Sequence, residues 1–426
     1  MKVVVVGGGW AGSGAAIAAK NAGAEVTVLE RTDMLLGTGL VGGIMRNNGR
    51  FTATEEAIAL GANEIFETID ANCRHTNIEF PGHSHASLYD IALIEPAIKA
   101  LLQKKGIEVR TLARVKDVEM DGDKMVSVIL TNDEKISGDV FIDATGSAGP
   151  MVNCGKYGNG CAMCALRCPT FGGRVSVVGK AGIEEKMGKK ADGSIGAMSG
   201  SCKLLKESLS KEIVEMLDKT GVAVVPIPEH LRKGEGVLAK KACQQYALKE
   251  FAENIILLDT GHAKLMTPYY PLDQLRQVPG FENARFEDPY SGSIGNSMRY
   301  MALAPRDNAL KVKGLNNVFC GGEKAGLLVG HTEAIVTGTL AGHNAVRWAL
   351  GKELLELPTD LAIGDAIAYV NEQMETDEGM RKKYTFSGSV YFTRMKELGL
   401  YSTDIPAIKA KVEKDGLTGV FAQKLV

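Results

Sequence analysis

The chain opens on an unbroken apolar run, Val3-Val4-Val5-Val6, followed at once by Gly7-Gly8-Gly9-Trp10-Ala11-Gly12 and then by Ala15-Ala16-Ile17-Ala18-Ala19-Lys20. A short apolar run bounded by glycine reads as a buried strand, and the alanine-rich stretch after it as a helix. A second run, Glu25-Val26-Thr27-Val28-Leu29, ends in Glu30. The first thirty residues therefore predict strand, tight turn, helix, strand. Residues 52–70 hold few breakers and predict a helix, and residues 81–85 a turn. A helix then runs to Lys104 with Pro96 in its first turn, followed by a strand over 106–110. Residues 111–138 alternate apolar and polar positions (Val115, Val118, Met120, Val126, Val128, Leu130) around turns at Asp121-Gly122-Asp123 and Asn132-Asp133. That is the pattern of a small antiparallel meander. Val140-Phe141-Ile142 forms a strand leading into Asp143-Ala144-Thr145-Gly146. Residues 170–300 are the least patterned, with helices expected over 182–187 and 204–218 and a strand over 222–225 ended by Pro226 and Pro228. A last strand over 314–319 runs into Cys320-Gly321-Gly322-Glu323, and His331-Thr332-Glu333-Ala334 opens a long helix.

The glycines give the first turn its chemistry. Gly7, Gly9 and Gly12 fit G-x-G-x-x-G between a strand and a helix. The first allows the tight turn, the second lets backbone approach a pyrophosphate, and the third lets helix and strand pack closely. The helix start supplies N–H groups and a positive dipole end for phosphate. Glu30, 18 residues beyond Gly12, is placed to accept hydrogen bonds from a ribose diol. Arg31 follows, and then a glycine-rich loop holding Gly39 and Gly43 that suits backbone passing close to a large planar cofactor. Arg46, Asn47 and Asn48 are either contacts to phosphate and ring edges or an ordinary polar loop.

Composition changes this picture little. At 426 residues the chain is long enough for two or three substructures. The 49 Lys+Arg balance 51 Asp+Glu, which argues against a nucleic-acid partner at whole-chain level. No apolar run of about 18 residues predicts a membrane span. The first strand begins so near Met1 that no signal peptide is expected, and a cytoplasmic location follows as the expectation.

Eight cysteines in such a context point to metal or redox chemistry where they cluster. Cys154, Cys161, Cys164 and Cys168, followed by Pro169, have the spacing C-x6-C-x2-C-x3-C-P. The last three match half of a ferredoxin-type run and the first does not. The cluster reads as an iron–sulfur site, as a redox dithiol formed by Cys161 and Cys164, as structural zinc, or as unligated packed thiols. His83-x-His85 is a weaker metal candidate, with solvated loop histidines as the plain reading.

A strand ending in Ala144-Thr145-Gly146 after a three-stranded meander resembles the flavoproteins with two dinucleotide-binding domains. The resemblance implies that backbone near Val115 meets the adenine of FAD. It implies that Glu323, after Gly322, takes the position of an acid that binds the ribityl chain. The helix opening at His331-Thr332 would then aim its N-terminus at the flavin ring, with His331 beside the ring as a catalytic or contacting residue.

A narrower resemblance rests on Val278-Pro279-Gly280-Phe281-Glu282-Asn283-Ala284, Asn296-Ser297-Met298-Arg299-Tyr300, Phe319-Cys320-Gly321-Gly322-Glu323 and Glu333-Ala334 with Gly338, Ala341, Gly342 and Asn344. Leu357-Pro358-Thr359 and residues 362–369 extend it. These segments resemble the folate/FAD-dependent tRNA uracil-5-methyltransferase and GidA family. That family carries a cysteine in the loop where this chain has Gly42-Gly43, and the 154–168 cysteines are outside its pattern.

The expected fold is α/β, a Rossmann-like FAD-binding domain with an inserted substrate domain and a C-terminal helical segment. The expected divisions are 1–150 for the first part of the FAD domain and 151–300 for the cysteine cluster and substrate domain. Residues 301–350 would close the FAD domain, and 351–426 form the helical segment. The expected activity is FAD-dependent oxidoreduction on a small-molecule substrate or a redox partner protein. Alternatives are folate- and FAD-dependent methylation of RNA, or service as an electron-transfer subunit. No second complete G-x-G-x-x-G stands out, so NAD(P)H as donor would bind transiently at the flavin face. A homo-oligomer is compatible with all of this.

Overall fold

A computed structural model describes residues 1–146, 171–199, 202–234, 247–267, 270–287, 297–299 and 301–426. The four cysteines from Cys154 to Cys168 lie outside the described residues.

The first half runs β1 (Lys2–Val6), α1 (Trp10–Asn21), β2 (Glu25–Leu29), α2 (Gly39–Gly42), β3 (Ile44–Met45), α3 (Gly49–Ala59), α4 (Asn63–Ala71), β4 (Cys73–Phe80), β5 (His83–Tyr89), α5 (Ile94–Lys104) and β6 (Glu108–Arg110). The meander β7 (Val115–Asp121), β8 (Lys124–Leu130) and β9 (Lys135–Ser137) follows, and then β10 (Val140–Asp143). A second sheet uses β11 (Cys202–Leu204), β12 (Val222–Pro226), β13 (Asn254–Asp259) and β14 (Ala263–Leu265), with α6 (Lys211–Thr220) between its first two strands. The chain returns in β15 (Val318–Cys320) and ends in α7 (His331–Ala349), α8 (Ala362–Gln373), α9 (Ser389–Glu397) and α10 (Ile405–Lys414).

The main sheet has the order β15-β10-β1-β2-β6, with every pairing parallel. Val3 faces Val140 on one side and Val26 on the other, and Phe141 faces Val318. A parallel sheet is covered on both faces, which is why Val3, Val4 and Val5 are wholly buried and why the run shows no polar alternation. The second sheet is antiparallel in the order β11-β14-β13-β12. Its strand β13 does alternate. Ile255 and Leu257 face a core with Ile213, Leu217 and Phe281, while Ile256 and Leu258 face one with Ile44, Phe80 and Leu88. That third core seats the second sheet on the β3-β5-β4 sheet. The C-terminal helices share the main core through Ile363, Ile367, Tyr391 and Val412.

Several expectations need correction. The helix over 52–70 is two, α3 and α4, broken at residues 60–62. The turn at 81–85 is shorter, and His83 and His85 sit on β5, which precedes the helix to Lys104. No helix covers 182–187. Val177–Lys180 is helical, and Lys186–Met187 pairs with Ala302–Leu303 as strand. Over 204–218 the helix begins only at Lys211, where the Ser210 hydroxyl accepts from Ile213 N–H. Leu204 is instead held in the sheet opposite Ala263.

Candidate functional site

The site begins at the turn after β1. Gly7 has φ of +104°, and a Cβ there would lie 2.4 Å from the Ala144 carbonyl oxygen. The two fingerprint turns therefore cross in contact, as only glycine permits. At Gly12 a Cβ would lie 1.8 Å from the Gly7 oxygen, so helix and turn could not approach. Gly9 differs, because among the described residues no heavy atom beyond its chain neighbours stands within 4 Å of its Cβ position. It is also the N-cap of α1 and gives no side-chain cap. Among the described residues no side chain caps the first N–H groups of α1.

Glu30 ends β2 as a buried carboxylate. Its Oε2 accepts from Gly8 N–H at 2.9 Å, and its Oε1 from Thr32 N–H at 2.9 Å and the Thr32 hydroxyl at 3.1 Å. These bonds fix it beside the glycine turn. Backbone 112–115 runs alongside, since Leu112 N–H donates to Thr32 O and Ala113 N–H to Glu30 O. Val115 begins β7 two residues on and is buried. Arg31 donates to Gly172 O at 2.7 Å. On β10, Asp143 accepts from Thr145 N–H and its hydroxyl and from Val178 N–H, which sets the Ala144-Thr145-Gly146 turn.

The closing segment meets this turn. A Cβ at Gly322 would lie 2.9 Å from the Ala11 Cβ, and Gly321 N–H donates to Asp143 O. Helices α1 and α7 cross in backbone contact, because a Cβ at Gly338 would stand 2.0 Å from Ala11 O and one at Gly342 2.1 Å from Ala15 O. Glu323 is half-buried in the short turn of helix Gly322–Ala325. Helix α7 starts at Gly330 with no side-chain cap.

His331 and Thr332 open that helix. The His331 ring packs against Trp10 at 6.2 Å and Tyr89 at 5.9 Å between centroids. Its Nδ1 lies 3.1 Å from the Tyr89 hydroxyl. The loop residues 39–43 complete the wall. Tyr89 binds Gly39 O through its hydroxyl at 2.5 Å and Gly43 O through its N–H at 3.0 Å. The Lys264 ammonium, on β14, donates to Val41 O at 2.7 Å and to Gly42 O. The loop is therefore held by its carbonyls from behind.

FAD fits this set. Two uncapped helix starts, an open space at Gly9 and the anchored Glu30 carboxylate suit its pyrophosphate and ribose. Two fully buried hydroxyls, Ser13 Oγ on α1 and Thr332 Oγ1 on α7, have no hydrogen-bond partner among the described residues. A buried hydroxyl left so is costly unless something else satisfies it.

Other candidates are accounted for elsewhere. Arg46 pairs with Glu55 and Asp70, Asn47 bonds His83 Nδ1 at 2.9 Å, and Asn48 bonds the Gly82 and Ser387 carbonyls. Asn48 ties this loop to the C-terminal segment through the Ser387 carbonyl, while Arg46 and Asn47 are engaged by side chains of α3, α4 and β5. His83 is buried and stacked on Phe80, while His85 bonds Asn77. Among the described residues no group of three or more His, Cys, Asp or Glu could hold a metal. The described free thiols, Cys73 and Cys320, are both pushed up to about 12 by burial and are poor nucleophiles. No described helix is long and apolar enough to cross a membrane.

Sequence reasoning missed Trp10, Ser13, Tyr89 and Lys264. Trp10 and Ser13 sit inside the fingerprint stretch and were within reach of it. Tyr89 and Lys264 carry no local signal, because their partners lie up to 242 residues away.

Comparison with known proteins gives the same geography. Residues 2–155 match the FAD dependent oxidoreductase family model, and residues 259–353 match that of glucose inhibited division protein A. A methylenetetrahydrofolate–tRNA-(uracil-5-)-methyltransferase TrmFO from Caldicellulosiruptor bescii is 33% identical over 116 residues, which is 26% of this chain and 24% of that protein. One from Lactobacillus delbrueckii is 37% identical over 99 residues, 22% of this chain and 21% of the relative. The matched region thus spans about a quarter of these curated relatives' length. The structure of Aquifex aeolicus GidA shares the fold at 16% identity, with a TM-score of 0.63 over 97% of this chain and 76% of that one. Both ends of the crevice thus match family models and the fold is shared almost throughout, so the chain is similar to the GidA and TrmFO proteins in these segments and in its fold.

Proposed function

We propose that this protein is an FAD-dependent enzyme that exchanges an electron pair between its flavin and a bound substrate. The observation that carries this reading is the meeting of two helix starts without a side-chain cap, Trp10 and His331, where α1 and α7 cross. FAD, when bound, supplies the hydride or electron chemistry. The chain's own part is to seat the pyrophosphate on α1, orient the ribose with Glu30, place Glu323 at the ribityl chain, and set the positive end of α7 and the His331 imidazole at the ring. Gly39, Gly43, Gly146 and Gly322 supply backbone that comes close without side-chain bulk, and Ala144 and Thr145 supply the backbone of the second turn.

The relatives' names support a more specific reading, transfer of a one-carbon group from methylenetetrahydrofolate to a tRNA uracil. A methylene group must gain two electrons to become methyl, so this reading uses the same flavin step. Against a thiol-assisted version stand Gly42-Gly43 in the loop and the high thiol pKa values of Cys73 and Cys320. The cluster from Cys154 to Cys168 is the place for an iron–sulfur centre or a Cys161–Cys164 dithiol that relays electrons. NAD(P)H or a redox partner protein would supply them.

Two anaerobic assays separate these readings. FAD-loaded protein is mixed with NADH or NADPH while the flavin band is followed, and with methylenetetrahydrofolate plus an unmodified tRNA transcript whose nucleosides are then analysed by mass. Bleaching without RNA methylation supports oxidoreduction, and a methylated uridine selects the tRNA reading. A flavin that neither bleaches nor supports methylation overturns the enzyme reading and leaves an electron-transfer subunit. Iron and zinc analysis of the same sample assigns the cysteine cluster.

A further inference from the structure

The pair formed by Tyr89 and His331 joins two elements that the fold brings together from opposite halves of the chain. Tyr89 ends β5, and His331 opens α7. The tyrosine hydroxyl has one proton and lies 2.5 Å from the Gly39 carbonyl oxygen, an acceptor that has no proton to give. The proton must point there. Burial pushes the phenol well above its ordinary value, so the hydroxyl keeps that proton at any working pH. The same oxygen lies 3.1 Å from His331 Nδ1 and has only lone pairs left to offer it.

We propose that Tyr89 is a positioning residue that fixes His331 as the Nδ1–H tautomer, so that Nε2 carries the lone pair and His331 is the proton acceptor and donor of this site. The inference rests on the proposed function only for the site's use, since the tautomer is a property of the chain itself. Two further features hold the ring in place. A Cβ at residue 42 would fall 1.5 Å from His331 Cε1 and 2.3 Å from Nε2, so the imidazole occupies the space of any side chain at that position. Trp10 closes the other side, edge-on to Tyr89 at 5.8 Å and 76°. Lys264 sits behind residue 42 and fixes its carbonyl, so the gap cannot close by a peptide flip without losing that bond. The loop therefore gives up a side chain and the helix provides an imidazole there instead. The pair moves a proton and no electrons. A proton arriving at Nε2 makes an imidazolium whose Nδ1–H is still accepted by the Tyr89 oxygen.

The test is nitrogen NMR of histidine-labelled, FAD-loaded full-length protein, with the His331 signals assigned by their loss in His331→Gln. Wild-type His331 in its neutral form is expected to carry the proton on Nδ1. Tyr89→Phe keeps the ring and removes the hydroxyl, and should shift His331 toward the Nε2–H form. A neutral wild-type His331 protonated on Nε2 overturns the proposal, and so does a tautomer unchanged in Tyr89→Phe. Should Tyr89→Phe not fold, the wild-type spectrum alone decides. Gly42→Ala gives an independent check, because its methyl must displace the imidazole and abolish the wild-type pattern. A failed flavin assay leaves these signals unaffected, so the two readings fail separately.

Discussion

Three helix starts in this protein face the same backbone problem and meet it differently. At Ala362, the start of α8, the chain supplies its own acceptor. The buried Glu56 carboxylate, on α3, takes the N–H groups of Ala362 at 2.8 Å and Ile363 at 3.0 Å. At Trp10 and His331 no described side chain does so. The contrast shows that the fold can cap a buried helix start from a distance, and that at two converging starts it leaves the N–H groups open. Those two also differ from each other. The α1 start is lined by glycine backbone, which suits phosphate. The α7 start carries His331, Thr332 and the adjoining Tyr89, which suits a ring whose charge and proton count change.

Breaking the α7 side is expected to have the largest effect. Glu333 and Arg50 form a buried ion pair, and Glu333 also accepts from the Thr385 hydroxyl and Phe386 N–H. Glu333→Ala leaves the guanidinium buried without its charge partner, and denaturant unfolding should show a loss of about 3–5 kcal/mol. The capped start gives the next effect. Burial raises Glu56 to about 7 in the folded protein. Its folded value lies above its unfolded one, so its contribution is full below about pH 4.5 and is lost as pH rises through 7, a fall of roughly 3 kcal/mol. Glu56→Gln should flatten that part of the stability–pH curve. An unchanged slope would mean that the carboxylate does not titrate as the cap.

Gly338→Val sharpens the contrast by prising apart the two open starts. Its Cβ would meet Ala11 O at 2.0 Å, and unfolding should show a loss of about 2–3 kcal/mol together with lower flavin content. On the α1 side, Glu30→Ala should weaken FAD binding by about tenfold to a hundredfold, on the scale of a hydrogen bond to a charged group, as read by titration of the deflavinated protein. The smallest change is Thr332→Val, which removes a hydroxyl with no partner among the described residues. It should cost nothing in the deflavinated protein and about 1 kcal/mol in FAD binding.

The same contrast explains what could be read from sequence. The α1 start was legible because strand, glycine turn, helix and Glu30 fall within thirty residues and each restricts the local backbone. Ala144-Thr145-Gly146 and the long helix at His331 were legible for the same reason. The second sheet was not, because Cys202 pairs with Leu265 and Val222 with Leu258, and long-range pairing overrides the helix pattern around Leu204. Arg46, Asn47 and Asn48 look like ligand contacts in isolation. Their partners Asp70, His83 and Ser387 become visible only in the folded chain. The cap that Glu56 gives to α8 spans 306 residues and leaves no trace near either end.

The central claim is that both open starts hold one dinucleotide, and cofactor stoichiometry tests it most directly. Deflavinated protein is titrated with FAD and, separately, with FMN, which lacks the half that α1 would hold. The account predicts one FAD per chain and no retained FMN. Retention of FMN as tightly as FAD, or failure to bind either, would contradict it.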